Sequence, residues 1–203
     1  VVVATDDAAV ADAVSSMAVD AVLTDPEHSS GTERVAAVAT LPQYTEFDSV
    51  LNIQGDEPFF PIEGARGAAV LVERGCHVGT AGAELARADL LDPHRVKVVV
   101  DRHGRALRFA RVLPASMAWT CDAQVLHHIG IYAYRMAVLK HWLRWGPAPG
   151  ELEEGLEQLR ALHHGLSIGV ARVDSRAPAG IDTDRDLAVA EAYMETMNQR
   201  MCR

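Results

Sequence analysis

The sequence contains no stretch of 18 uninterrupted apolar residues, so nothing in it reads as a membrane span. Its first residues, Val1-Val2-Val3-Ala4-Thr5-Asp6-Asp7, lack the basic start of a secretory signal and read instead as a strand already under way. Cysteine is sparse. Cys76, Cys121 and Cys202 are odd in number, far apart and without CxxC spacing, which argues against a disulfide frame or zinc site and suits reduced thiols in a cytoplasmic protein. Lysine is nearly missing, with Lys97 and Lys140 alone, and 28 acids against 19 bases leave a formal charge of −9. A nucleic-acid groove would need a basic face and is excluded on that ground. Any polyanionic substrate must then be met by a few placed arginines and a divalent cation. No GxGxxG follows any strand, which disfavours a dinucleotide-binding dehydrogenase. Repeats and low-complexity tracts are absent too.

What is present is an ordinary globular chain of 203 residues, 49% hydrophobic, long enough for one good core and too short for two independent domains. Strand-like runs occur at Val1–Ala4, Ala21–Leu23, Val50–Gln54, His77–Ala83, Val96–Val100, Ala106–Ala110, His128–Tyr134 and Ser167–Val173. Between them lie helical patterns. Asp6 offers an N-cap for Asp7–Met17, Glu33–Ala39 follows a polar loop, and Pro61 opens a helix near Ile62–Glu73. Met136–Trp145 and Thr183–Met197 also read as helices, and Glu151–His163 reads as one amphipathic helix with Leu152, Leu156 and Leu159 on one side. Strands alternating with helices predict an α/β fold: a three-layer Rossmann-like sandwich of nucleotidyltransferase type with a mostly parallel sheet. The turn at Asp101–Gly104 predicts a small antiparallel hairpin added to it.

The stretch around which the chain is organised is Val50-Leu51-Asn52-Ile53-Gln54-Gly55-Asp56-Glu57-Pro58. A β-branched apolar run stops at a glycine and two acids follow, which predicts a buried parallel strand opening into a turn that carries Asp56. Ligands of open α/β sheets bind outside the carboxyl ends of strands, where a polyphosphate's metal would need such an anchor. Ser30-Gly31-Thr32-Glu33-Arg34 stands at a helix N-terminus, where free backbone N–H groups favour an anion or polar ring. A plain capping box on Thr32 would account for part of that run and leave Arg34 unexplained. His128 and Tyr132, on one strand and four residues apart, project to one face, with His127 pointing the other way in a structural role. Arg95 and Lys97 could face a phosphate or carboxylate, although charges at strand edges usually face solvent.

Taken in order, His28–Arg34, Asn52–Pro58, Asp92–Val99, His128–Arg135, Leu156–Arg160 and Gly180–Thr183 resemble the 3-deoxy-manno-octulosonate cytidylyltransferases, the CMP-Kdo synthetases, over nearly the whole chain from Val1 to Leu187. The resemblance implies a magnesium-dependent transfer of CMP from CTP to the sugar acid Kdo, releasing pyrophosphate, in lipopolysaccharide assembly. It implies Asp56 and Asp182 as the catalytic Mg²⁺ ligands, although Asp182 alone would also serve as the N-cap of the closing helix. Ser30 and Arg34 would hold the nucleotide; Gln54, His128, Tyr132, Glu157 and Gln158 would line the sugar site, supplying the donors and acceptors a polyol needs. A homodimer is implied, with Met136–Trp145 and its two tryptophans as candidate interface. A synthetase for another sugar acid such as sialic acid, or a catalytically silent nucleotide-binding relative, are the rival readings.

The resemblance also carries departures. Residues 1–203 read as one nucleotide-diphospho-sugar-transferase-like domain that opens at what resembles the family's second strand. The family's N-terminal strand and Gly- and Arg-bearing phosphate loop are therefore expected upstream of Val1, and the space beside Val1–Ala4 is expected to hold a partner segment or stand open. Arg111–Gln124 is shorter than the family's pattern, and Arg95, Arg111 and Arg135 are the arginines that could otherwise clamp phosphate.

Overall fold

The computed structural model describes residues 1–118, 122–174, 180–181 and 183–201. β1 (Val2–Thr5), α1 (Ala8–Ser15) and β2 (Asp20–Leu23) form a βαβ unit in which β1 and β2 pair in parallel as a two-stranded sheet. No other described strand pairs with the free edge of β1. The cap of α1 is Asp7, whose carboxylate accepts the Ala9 N–H at 2.7 Å; Asp6, the residue expected there, is instead ion-paired with Arg34.

The chain continues through α2 (Gly31–Ala39), β3 (Ser49–Ile53), α3 (Ile62–Glu73) and β4 (Val78–Glu84). The β5 (Lys97–Asp101) and β6 (Ala106–Ala110) hairpin comes next, as the turn chemistry predicts, and then α4 (Ala115–Ala118). β7 (Ala123–Arg135) is the longest strand at 13 residues. After it come α5 (Met136–Trp142), α6 (Glu151–Glu154), α7 (Gln158–His163), β8 (Ile168–Val173) and α8 (Asp184–Met201).

The sheet is mixed, which corrects the expected mostly parallel arrangement. β7 runs antiparallel to β3, β4 and β5, β5 is antiparallel to β6, and only β4 and β8 pair in parallel within the six strands. β3 is accordingly an antiparallel strand with Leu51 44% exposed, not a buried parallel one. β7 is long enough to pair with three strands. Its one edge is filled by β4 over Leu126–Tyr134, and its other edge is shared end to end by β5, on Ala123–His127, and β3, on Ile131–Arg135. β3 ends and β5 begins near one another, and residues 128–130 of β7 lie in the gap between them.

Helices cover both faces. On one, Ala65, Ala68 and Val72 of α3 pack on Ala81, Ala83, Ile129, Ile131 and Ala133. Gly79 is needed there: a Cβ would come within 2.0 Å of the Ala68 carbonyl oxygen. On the other face Ala36 of α2, Leu139 and Trp142 of α5 and Ala161 of α7 close over Tyr132, Tyr134 and Val98. Trp142 is fully buried in this layer, under Tyr134 at 5.9 Å and with the Arg160 guanidinium 5.3 Å from its ring centroid, so it is core and not interface. Trp145 stacks on His164 at 4.1 Å.

The predicted Glu151–His163 helix is two short helices. Gly155 sits between them at φ +61°, a left-handed conformation that ends α6, and the chain restarts at Gln158. Leu152 is consequently 77% exposed while Leu156 is buried, so the leucines do not share one face. Among the described residues, no helix is long and apolar enough to cross a membrane.

Candidate active site

The gap along β7 opens into a cavity of about 470 Å³. Its walls bring together Ser30, Gln54, Asp56, His128, Tyr132, Glu157 and Gln158, residues drawn from four separate parts of the chain. Gln54 and Asp56 follow the end of β3, and the turn is closed by the Glu57 N–H donating to the Gln54 carbonyl. Ile181 N–H donates to the Asp56 carbonyl at 2.8 Å, which docks the start of the last segment on this turn. Asp182 lies outside the described residues. Asp56 is exposed, and its carboxylate has no hydrogen-bond partner among the described residues, so it offers hard oxygen donors with none of them already taken. That suits a divalent cation; no group of three or more metal-ligating side chains occurs among the described residues.

The opposite wall is the N-terminus of α2. Ser30 caps it by accepting the Glu33 N–H, and Glu33 returns to accept the Ser29 N–H and hydroxyl. The capping box therefore falls on Ser30 rather than Thr32. Gln54 lies close against Gly31, with Oε1 3.0 Å from where a Cβ would stand, so a side chain there would push the Gln54 amide aside. Thr32 donates its N–H and its hydroxyl to the two oxygens of Glu157, at 3.1 and 2.6 Å. A carboxylate only accepts, so the Thr32 oxygen is left to accept from the Tyr134 hydroxyl at 2.9 Å. Arg34, expected at the nucleotide, is not among the cavity's residues. Its guanidinium bonds Asp6 and Thr24 and so ties α2 to the ends of β1 and β2.

Two arginines hold these walls: Arg160, which the sequence did not single out, and Arg111, a candidate phosphate clamp that is used here for structure. Arg160 is 1% exposed; it grips the Glu151 carboxylate through Nε and Nη2 and reaches Glu33 at 2.9 Å through Nη1. Arg111, on the cavity wall, spends its side chain on the carbonyls of Pro93, Glu154 and Gly155. The hint to Arg160 was its place at the end of Leu156–Arg160, an arginine one helical turn beyond Glu157. Lys97 is fully buried and not solvent-facing: its ammonium donates to the carbonyls of Asp92 and Arg111, and burial holds its pKa below the usual lysine value.

The floor is aromatic. His128 and Tyr132 share a face with ring centroids 5.3 Å apart, and Tyr132 stacks on Tyr134 at 5.6 Å. Burial pushes both tyrosines well above the usual phenol range and drives His128 down to about 3, so all three are neutral at pH 7. His127 also lines the cavity, and burial followed by Arg95 and Lys97 lowers it to about 4.

A neutral, hydrogen-bonding floor faces an exposed carboxylate across a helix N-terminus, an arrangement suited to a polyhydroxylated ligand beside a metal-bound phosphate. Comparison with known proteins gives the family. The family model of cytidylyltransferases matches residues 1–168. A 3-deoxy-manno-octulosonate cytidylyltransferase of Gemmatimonas aurantiaca is 42% identical over 203 residues, covering 97% of this chain and 78% of that protein. The chain belongs to the 3-deoxy-manno-octulosonate cytidylyltransferase family. A second member, from Photobacterium profundum, is 39% identical over 96% of this chain and 82% of its own length. Among solved structures, a CMP:2-keto-3-deoxy-manno-octonic acid synthetase complexed with CTP superposes with a TM-score of 0.81 at 32% identity, covering 97% of this chain and 80% of that one. The inositol-1-phosphate CTP transferase of T. maritima matches at a TM-score of 0.57 and 16% identity, over 89% of this chain and 68% of its own, which is a likeness of fold.

Proposed function

We propose that this protein transfers CMP from CTP to Kdo, releasing pyrophosphate and giving CMP-Kdo. The observation that carries the reading is the single cavity at the end of β3, where Asp56 stands beside His128, Tyr132, Glu157 and Gln158 in a chain of this family. The reaction joins a sugar hydroxyl to the α-phosphate, so both reactants must be held in line and the charge developing on the phosphate neutralised. Gln54, His128, Tyr132 and Gln158 bind and orient the sugar acid; each is neutral, and together they supply donors and acceptors without repelling its carboxylate. Ser30 and the α2 N-terminus face the nucleotide through the helix dipole, which favours an anion; the Thr32 and Glu33 N–H groups are themselves taken by Glu157 and Ser30.

Asp56 and Asp182 are the residues that would hold a divalent cation, with magnesium favoured by their all-oxygen donor set. That cation supplies charge neutralisation on the phosphates when bound. Glu157, already accepting both Thr32 donors, fixes the α2 N-terminus against α7 rather than acting as a free base. A homodimer, a cytoplasmic location and a place in lipopolysaccharide assembly belong to the same reading and rest on the family resemblance.

The test is pyrophosphate release with CTP and magnesium, comparing Kdo with sialic acid. Faster turnover of Kdo is expected. Preference for sialic acid would reassign the sugar, and CTP binding without pyrophosphate release would point to a silent relative.

A further inference from the structure

The pairing of β4 with β7 slips at the cavity floor. Thr80 stands opposite Tyr132, but Ala81 stands opposite Ile129, so two residues of β7, Gly130 and Ile131, are looped out of the ladder. The bulge turns two β7 carbonyls toward one side chain. The Thr80 hydroxyl, fully buried, lies 2.7 Å from the Ile131 oxygen and 3.4 Å from that of Ile129. The same hydroxyl oxygen is 3.0 Å from Nε2 of His128.

A hydroxyl has one proton. Carbonyls only accept, so that proton is committed to Ile131, and toward His128 the Thr80 oxygen can act only as an acceptor. Nε2 must then carry the imidazole proton. The ring is neutral, so Nδ1 is left with its lone pair. Nδ1 makes no hydrogen bond to a described residue, and it is not among the buried polar atoms that lack a partner, which puts it at the open side of the ring on the cavity floor.

We propose that Thr80 is a positioning residue that fixes His128 as the Nε2–H tautomer, presenting Nδ1 to the cavity as an acceptor for a hydroxyl of the sugar acid. His128 thereby discriminates by requiring a donor from its ligand, and it takes no proton in the reaction. The edge of Phe109, 5.2 Å away, and the tilted ring of Tyr132 hold the imidazole from its other sides.

The tautomer is read without substrate, by long-range ¹H–¹⁵N correlation spectra of protein labelled at histidine, with His128 assigned by its loss in His128→Gln. A protonated Nε2 and unprotonated Nδ1 are expected, and an Nδ1–H tautomer would overturn the proposal. The kinetic arm rests on the sugar-acid reading. Thr80→Val removes the acceptor at almost constant volume and is expected to raise the KM for Kdo by about tenfold while the KM for CTP moves less than about twofold. Thr80→Ser restores the hydroxyl and is expected to bring both the tautomer and the KM back. Unchanged tautomer and KM in Thr80→Val would refute the role. Should Thr80→Val fail to fold, the wild-type and Thr80→Ser spectra decide alone. Absence of any turnover of Kdo by the wild type would sink the proposed function and leave the tautomer result standing.

Discussion

Thr32 and Glu157 stand 125 residues apart in sequence and are joined by two hydrogen bonds, 3.1 Å from the backbone and 2.6 Å from the hydroxyl. They clamp the first turn of α2 to the start of α7. Glu33, the next residue of α2, and Arg160, one turn further along α7, repeat the connection at 2.9 Å. The nucleotide-facing and sugar-facing walls of the cavity are thus one mechanical unit, built from residues of which only Glu157 points at the site.

Arg160→Met is expected to destabilise the fold by about 3–5 kcal/mol, because removing one partner leaves the Glu151 carboxylate buried without its counter-ion. Chemical denaturation checks this. A loss below about 1 kcal/mol would mean that the buried network contributes little.

Glu33 gives the network a pH signature. Burial raises its pKa, but the hydrogen bonds from the Ser29 N–H, Arg160 and the Ser29 hydroxyl outweigh burial, and its folded value lies below the usual 4.5. A depressed acid contributes stability that is fully present above its unfolded pKa and is lost as pH falls through the folded one. Stability should therefore drop below about pH 4.5, and Glu33→Gln should shallow that slope in melts taken between pH 3 and 6. An unchanged slope would show that other carboxylates govern the acid limb.

Asp56→Asn should lower kcat by on the order of a hundredfold or more, since it removes a charge from the proposed metal site. Asp56 is exposed, so stability should change by no more than about 0.5 kcal/mol. Pyrophosphate release and a thermal melt, taken together, separate the two effects. Retained activity would remove Asp56 from the metal.

Much of this was legible in the chain, for local reasons. The end of β3 just before Gln54, the β5–β6 hairpin and the alternation of Leu126, His128, Tyr132 and Tyr134 against Ile129, Ile131 and Ala133 are properties of short windows. They sufficed to gather Gln54, Asp56, His128 and Tyr132. Strand sense was not legible, because the direction in which strands pair with β7 is set by the path of the whole chain and not by their own composition. Nor was the burial of Lys97 and Arg160. A basic residue beside an apolar run reads as solvated until the fold brings its carbonyl or carboxylate partners into view. Arg34 failed for the converse reason: Asp6 and Thr24 claim it first.

Tyr132→Phe should raise the KM for Kdo by several-fold, of the order of one lost hydrogen bond, and leave that for CTP within about twofold. Steady-state kinetics with each substrate varied in turn makes the comparison. A weakened CTP response with an unchanged sugar KM would mean that the two ligands sit the other way round.

The central claim is the bond that is made. ³¹P NMR of CTP, Kdo and magnesium incubated with the protein follows every phosphorus atom at once. The account predicts that the triphosphate signals give way to pyrophosphate and to one phosphodiester resonance, that of CMP-Kdo, in equal amounts. CTP left intact, or broken down to CDP and inorganic phosphate with no phosphodiester formed, would contradict it.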